Sequence, residues 1–248
     1  MSAELQHALN ALRFLTRLPV PAIGTAVTWN LGRTARWFPL AGLVVGSIAA
    51  AVWWLAVALG VPPLTAAGLA IAAQALITGG LHEDGLSDLA DGLGSGAPRE
   101  RALEIMRDSR IGAHGALALG LSLLLRVAAL SALGPLAGAT ALILANVLSR
   151  AFVALSLATL PYARPDGLAA GGQTGGRGMM LSLLLTLALV LALGRLDGVL
   201  ALVAALLAWG WICWRLMRRL GGHTGDGLGA TEQVVQLAVL VTLSAAWA

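Results

Sequence analysis

No lysine occurs in this 248-residue chain, and cysteine occurs only once, at Cys213. A lone cysteine excludes an internal disulfide framework and any cysteine-rich metal site. Charge is scarce as well. Charged residues make up 11% of the chain, against roughly 25% in a soluble domain. With 58% hydrophobic residues, a soluble globule would lack the polar surface to cover itself, which excludes a soluble enzyme. A disordered chain needs the opposite composition. All sixteen basic residues are arginine. GC-rich coding accounts for this, together with the surplus of Ala, Gly and Leu, and the guanidinium fork also suits phosphate recognition. The net charge of +4 calls for no nucleic acid, because excess basic charge in a membrane protein marks cytoplasmic loops.

A membrane-crossing helix needs about 20 mostly apolar residues. Seven such stretches are expected, at 37–60, 64–81, 114–134, 136–160, 178–194, 198–217 and 233–248, the last being the shortest. Trp37, Trp209, Trp211, Trp214 and Trp247 lie near their ends, where aromatic belts sit. Residues 1–36 carry Arg13, Arg17, Arg33 and Arg36 without an apolar core long enough for a cleavable signal peptide. Leu5, Leu9, Leu12 and Leu15 recur at helical spacing, with Gln6, Asn10, Arg13 and Arg17 elsewhere around the turn, which predicts an amphipathic helix on the membrane surface. The expected class is an all-α integral membrane protein, a polytopic bundle of about seven transmembrane helices forming one domain over 1–248. Residues 1–36 form its interfacial segment.

Alternating the loops across the bilayer puts the N-terminal segment and loops 82–113, 161–177 and 218–232 on one side. Counting Arg215 with its neighbouring loop, that side holds thirteen arginines. The other side holds only Arg195, and Arg126 and Arg150 fall inside spans. The positive-inside rule then assigns the arginine-rich side to the cytoplasm, as in a bacterial inner membrane. Eleven of the twelve carboxylates lie on the same side, with Asp197 alone opposite. Orientation does not require that bias, whereas a cytoplasmic active site does.

The densest cluster runs from His82 to Gly92. In a helix, Asp84, Asp88 and Asp91 fall at i, i+4 and i+7 on one face. Like charges so placed repel, and a hard divalent cation with oxygen ligands would compensate them. Glu104 and Asp108 form a second pair, surrounded by Arg99, Arg101, Arg107 and Arg110. Carboxylates for Mg²⁺ beside arginines for phosphate equip a site for phosphoryl transfer. The remaining loops are glycine-rich, with Tyr162 to Gly167 and 171–177 in one and Gly221 to Glu232 in the other. Glycine lets backbone N–H groups close around an anion. His82, His114 and His223 are candidate acid–base groups or ligands. Arg126 and Arg150, inside spans, need partners, with backbone carbonyls or Asn146 expected.

At these residues the sequence resembles the cobalamin synthase family, the adenosylcobinamide-GDP ribazoletransferases. The resemblance covers nearly the whole chain. Its motifs are Phe14 to Pro21, Arg36 to Gly42, His82 to Gly92, Met106 to Gly112, Ala163 to Gly167 and Gly222 to Asp226. It implies an Mg²⁺-dependent membrane enzyme of the last nucleotide-loop step of vitamin B12 synthesis. Adenosylcobinamide-GDP reacts with α-ribazole or its 5′-phosphate, giving adenosylcobalamin or its 5′-phosphate and GMP. Under this reading Asp84, Asp88 and Asp91 hold Mg²⁺ with Glu83 assisting, and Glu104 and Asp108 complete the metal site or take the hydroxyl proton. Arg107, Arg110, Arg164 and Arg177 bind phosphates, Asp166 belongs with them, and His82, His223 and Asp226 orient a substrate. The lipid bilayer is a partner; a homo-oligomer and contacts with other corrinoid-assembly enzymes are compatible with the reading.

Three other classes compete. Asp88-Leu89-Ala90-Asp91-Gly92 resembles the start of the CDP-alcohol phosphotransferase motif, but Leu93-Gly94-Ser95 follows where that motif has Ala-Arg. A membrane prenyltransferase would need two matched aspartate-rich loops. A transporter would place ionisable groups near the bilayer midplane, and here the carboxylates are expected outside the spans.

Overall fold

The computed structural model describes residues 3–21, 30–164 and 176–248. Among these residues there are ten helices and no strand: α1 (Ala3–Leu15), α2 (Leu31–Ala35), α3 (Phe38–Ala58), α4 (Pro63–Thr78), α5 (Leu81–Gly94), α6 (Arg99–Ile105), α7 (Ala113–Ser131), α8 (Pro135–Thr159), α9 (Arg177–Leu220) and α10 (Gly225–Trp247). Five of them (α3, α7, α8, α9 and α10) are long and apolar enough to cross a membrane, and α4 with α5 adds a sixth span if that bent pair counts as one. The protein is therefore an all-helical, multi-pass membrane protein.

The expected count of seven treated α4 as a span and divided α9 in two. Helix α4 has only 16 residues, about 24 Å of rise, short of a hydrocarbon core about 30 Å thick. Helix α9 is a 44-residue run broken at Arg195, where φ is 53° and ψ is −133°. The chain doubles back there. A Cβ on Gly198 would lie 2.5 Å from the carbonyl oxygen of Val190, which a straight helix would hold roughly 12 Å away along its axis. The expected boundary between 178–194 and 198–217 coincides with this break. Asp197, just beyond it, accepts a 2.7 Å hydrogen bond from the Trp247 indole, tying the turn to the end of α10.

Helix α8 is the central element, packed by α3, α9 and α10. Helices in lipid have no water-driven force between them, so close approach through small residues decides which of them pair. Gly42 and Gly46 supply that approach on α3. A Cβ on Gly42 would collide with the Asn146 carbonyl of α8, and one on Gly46 would lie 3.0 Å from Ile143 Cα. Helix α1 packs on α2 and α3, burying His7, Ala8, Ala11 and Leu15. Of the predicted leucine stripe only Leu15 is buried, while Leu5 stays exposed. The small-residue face meets the bundle.

A polar network runs through the apolar interior. Arg150 on α8 donates to Glu232 on α10 at 2.8 Å and to Asn146 Oδ1 at 2.8 Å. Both side chains of the Arg150–Glu232 pair are 1% exposed. Glu232 also accepts from Ser149 and Gln233. Arg126 on α7 donates to Gln236 at 2.8 Å and pairs with Glu83 of α5 at 3.4 Å. Gln236 then donates to Gln74 of α4, which also accepts from Asn146. Two expectations are corrected here. Helix α10 starts at Gly225 rather than 233, so Glu232 lies inside a candidate span instead of in a cytoplasmic loop. Arg126 and Arg150 are paired with carboxylates, and the predicted Asn146 contact is one part of a larger set.

Breaking a buried ion pair from one side leaves an uncompensated charge and costs about 3–5 kcal/mol, whereas replacing both partners with apolar groups of similar volume is often neutral. Arg150→Met is therefore expected to destabilise the protein by that amount in detergent-solubilised thermal unfolding, and Arg150→Met with Glu232→Met to recover most of the loss. Equal losses in the single and double variants would contradict the pairing.

Candidate active site at the crossing of two helices

The acidic helix is aimed by two glycines. Gly79 and Gly80, with φ of 71° and 73°, end α4 and start α5 in the left-handed region. Side chains other than glycine are strained there, and the two residues turn α5 by 90° from α4. The N-terminal segment braces the bend, since the Arg17 amide donates to the Ile77 carbonyl at 2.7 Å.

From the bend, α5 runs across the start of α10. A Cβ on Gly85 would lie 2.8 Å from the Asp226 carbonyl oxygen, and one on Gly229 would lie 3.2 Å from Gly85 Cα. A side chain at Gly85 would force the two backbones apart, and one at Gly229 would need its neighbours to give by a few tenths of an ångström. The contact sets Asp84 and Asp88 of α5 in electrostatic reach of Asp226 of α10. Arg164 reaches into the same group and pairs with Asp226 at 3.0 Å. The start of α10 is held by Thr224, whose hydroxyl accepts from the Gly227 amide at 3.0 Å.

The four acids expected around a metal divide by their position on the helix. Asp84 and Asp88, one turn apart, share the Asp226 side. Asp91 accepts the Gly112 amide at 2.7 Å and the Gly115 amide at 2.8 Å, capping the N-terminus of α7. Glu83, about 100° around the helix from Asp84, turns into the bundle toward Arg126 and Gln233. His82 is buried, and among the described residues its Nε2 has no hydrogen-bond partner.

The loops are cross-tied around this face. Arg99 donates to the carbonyls of Leu220 at 2.7 Å and Ala163 at 2.6 Å. His223 and Tyr162 form a parallel bridge, with His223 N–H donating to the Pro161 carbonyl at 2.8 Å and Ala163 N–H to the His223 carbonyl at 2.9 Å. Their rings pack 5.3 Å apart. Burial holds the His223 imidazole below its ordinary value, opposed by a backbone hydrogen bond at Thr224. Glu104 pairs with Arg101 at 2.8 Å. Asp108 is gripped by Arg110 through Nε and Nη2, which holds its carboxyl down at about 2. Among the described residues neither acid pairs with a side chain of α5. Arg107 and Arg177 are exposed. Asp166 and residues 171–175 lie outside the described residues.

Among the described residues, no group of three or more His, Cys, Asp or Glu side chains is arranged to hold a metal. Mg²⁺ is usually bound through one or two carboxylates, waters and substrate phosphates rather than by an all-protein cage. Asp84 and Asp88, with Asp226 beside them, fit such a substrate-completed site. The residues that build it without entering it were missed from the sequence as members of the site. Gly85 was read only as a glycine beside the acidic cluster and Gly229 only as part of a glycine-rich loop, and Arg99 stood out only as one of four arginines near Glu104.

This arrangement is that of a membrane-embedded enzyme with an acidic helix crossing and an arginine-tied rim. The cobalamin-5-phosphate synthase family model matches residues 7–244, and the chain belongs to that family. It is similar to proteins named adenosylcobinamide-GDP ribazoletransferase. The one from Rhizobium etli (strain CIAT 652) is 45% identical, covering 95% of both chains. The one from Azorhizobium caulinodans is 48% identical over 93% of this chain and 92% of its own. The one from Bradyrhizobium diazoefficiens is 46% identical over 95% and 92%. No solved structure matches the chain.

Removing a side-chain cap at a helix N-terminus costs about 0.5–2 kcal/mol. Asp91→Ala is expected to destabilise the start of α7 by that amount. Faster amide hydrogen exchange at 112–116, with exchange in α8 unchanged, checks it.

Proposed function

We propose that the protein transfers the adenosylcobinamide-phosphate group of adenosylcobinamide-GDP to α-ribazole or its 5′-phosphate, releasing GMP. The observation that carries this reading is the Gly85–Gly229 crossing, which brings Asp84, Asp88 and Asp226 together beside Arg164 in a chain of the cobalamin-5-phosphate synthase family. The ribazole hydroxyl oxygen attacks the cobinamide-side phosphorus. A new P–O bond forms, the bond from that phosphorus to the bridging oxygen breaks, and GMP departs with the electron pair. The hydroxyl proton passes to the aspartate face.

Asp84 and Asp88 would hold Mg²⁺, which when bound neutralises pyrophosphate charge as it builds on the leaving group. Arg164, kept in place by Asp226, binds the pyrophosphate. Arg107 and Arg110 lie on exposed segments and offer further phosphate contacts, with Asp108 orienting Arg110. Glu104, paired with Arg101, braces this rim. His82 and His223 border the site from α5 and from the start of α10, and Asp91 keeps α7 against the acidic helix. Glu83 supports the same helix from the bundle side. Asp166 joins the substrate-binding loop. The arginine-rich loops favour an orientation with this face toward the cytoplasm of a bacterial inner membrane.

Asp84→Asn and Asp88→Asn keep the side-chain volume while removing charge. Each is expected to slow GMP release by about 10²–10³-fold, the loss typical of an electrostatic stabiliser, in protein whose thermal unfolding matches wild type. Near-normal release in both variants overturns the assignment.

A further inference from the structure

A second concave feature lies away from the acidic helix. A groove of about 570 Å³ opens between α1, α3, α8 and α9, and none of its lining residues belongs to α5 or α10. The volume falls within the 300–1,000 Å³ of small-molecule sites. Its walls are mostly apolar, lined by Leu40 and Leu43 from α3 and by Leu181 and Leu185 from α9, with Ser182 and Thr186 among them. Leu181 and Leu185 are 57% and 62% exposed, so the groove is open along a face of a candidate membrane span.

Charge is confined to one end. Glu4 and Arg36 line it and pair at 2.6 Å. Arg33 lies one turn before Arg36 and is exposed. Arg177 immediately precedes Gly178, and a Cβ on Gly178 would collide with the Arg36 guanidinium. Among the described residues, Arg36 and Glu4 therefore line the mouth of the apolar slot, and Arg33 and Arg177 stand on the adjoining backbone. A neutral amphiphile would fill the slot and leave the surplus positive charge unanswered. An anionic head group on an acyl chain answers both, in the manner of basic pockets between transmembrane helices that bind acidic lipids.

We propose that this groove holds one anionic membrane phospholipid, with its phosphate against Arg36 and Arg177 and its acyl chain along Leu181 and Leu185. The lipid packs into the contact between the interfacial helix α1 and the bundle.

The test uses the full-length chain extracted in mild detergent from membranes containing both phosphatidylglycerol and phosphatidylethanolamine, followed by native mass spectrometry. One retained phosphatidylglycerol per chain is expected. Arg36→Gln and Arg177→Gln should each weaken its retention at least about tenfold, as expected for loss of a charge-assisted contact. Leu185→Trp, which fills the groove from an exposed position, should abolish retention while thermal unfolding in detergent stays normal. Arg177 and Leu185 are both exposed, so these variants carry the test if Arg36→Gln fails to accumulate. Equal retention of the two lipids, retention of detergent alone, or wild-type retention in both Arg177→Gln and Leu185→Trp overturns the proposal. Free glycerol phosphate, added to delipidated protein, should give no thermal stabilisation where phosphatidylglycerol does; equal stabilisation by both also overturns it.

Discussion

The ion pair between Arg150 and Glu232 constrains this fold more than any other contact. Both side chains are inside the bundle, where a lone charge has no water to turn to and must find its partner in the protein. That requirement fixes α8 against α10. Arg126 makes the same demand on α5 and α10 through Glu83 and Gln236, and Gln74 brings in α4. Lipid supplies no hydrophobic force to sort one apolar helix from another, so hydrogen bonds and close packing do the sorting. The result is a bundle whose neighbours are specified by polar residues few enough to count.

The acidic helix belongs to both halves of this arrangement. Glu83 and Asp84 are adjacent in sequence and about 100° apart around the helix. One carboxylate fastens α5 to the interior through Arg126, and the next lies in electrostatic reach of Asp226. The glycine contact with Gly229 follows at the next residue, Gly85. Anchoring, close approach and charge thus occupy successive residues of a single turn, and the left-handed glycines at 79 and 80 set its direction.

Much of this was legible in the sequence. The apolar runs located the long helices, because a span's composition is dictated by the bilayer rather than by tertiary contacts. The helical spacing of Asp84, Asp88 and Asp91 was readable for the same local reason. The division of labour among those acids was not, since the Gly112 and Gly115 amides that claim Asp91 come from a helix more than twenty residues away. Glu232 was misplaced because hydropathy alone ends a span at the first carboxylate, and its buried partner Arg150 lies 82 residues earlier. The pairing of Glu104 and Asp108 with nearby arginines follows from short-range spacing, yet their distance from the aspartate face depends on how α6 is carried over the loops. The family resemblance, resting on ordered motifs along nearly the whole chain, agrees with the match over residues 7–244.

The order of the helices along the chain gives the polar network a consequence for biogenesis. Arg126 and Arg150 enter the bilayer on α7 and α8, well before α10 is made. An isolated arginine at a helix centre raises the insertion free energy by about 2.5–3.5 kcal/mol, a burden that the apolar remainder of each helix must carry alone. Glu232 and Gln236 arrive last, on α10. Arg126 finds Glu83 on the earlier α5, whereas Arg150 lacks its carboxylate partner until α10 is made. Closure of the bundle by α10 supplies that carboxylate and, in the same step, delivers Asp226 to the acidic helix. Maturation and assembly of the site are one event in this fold.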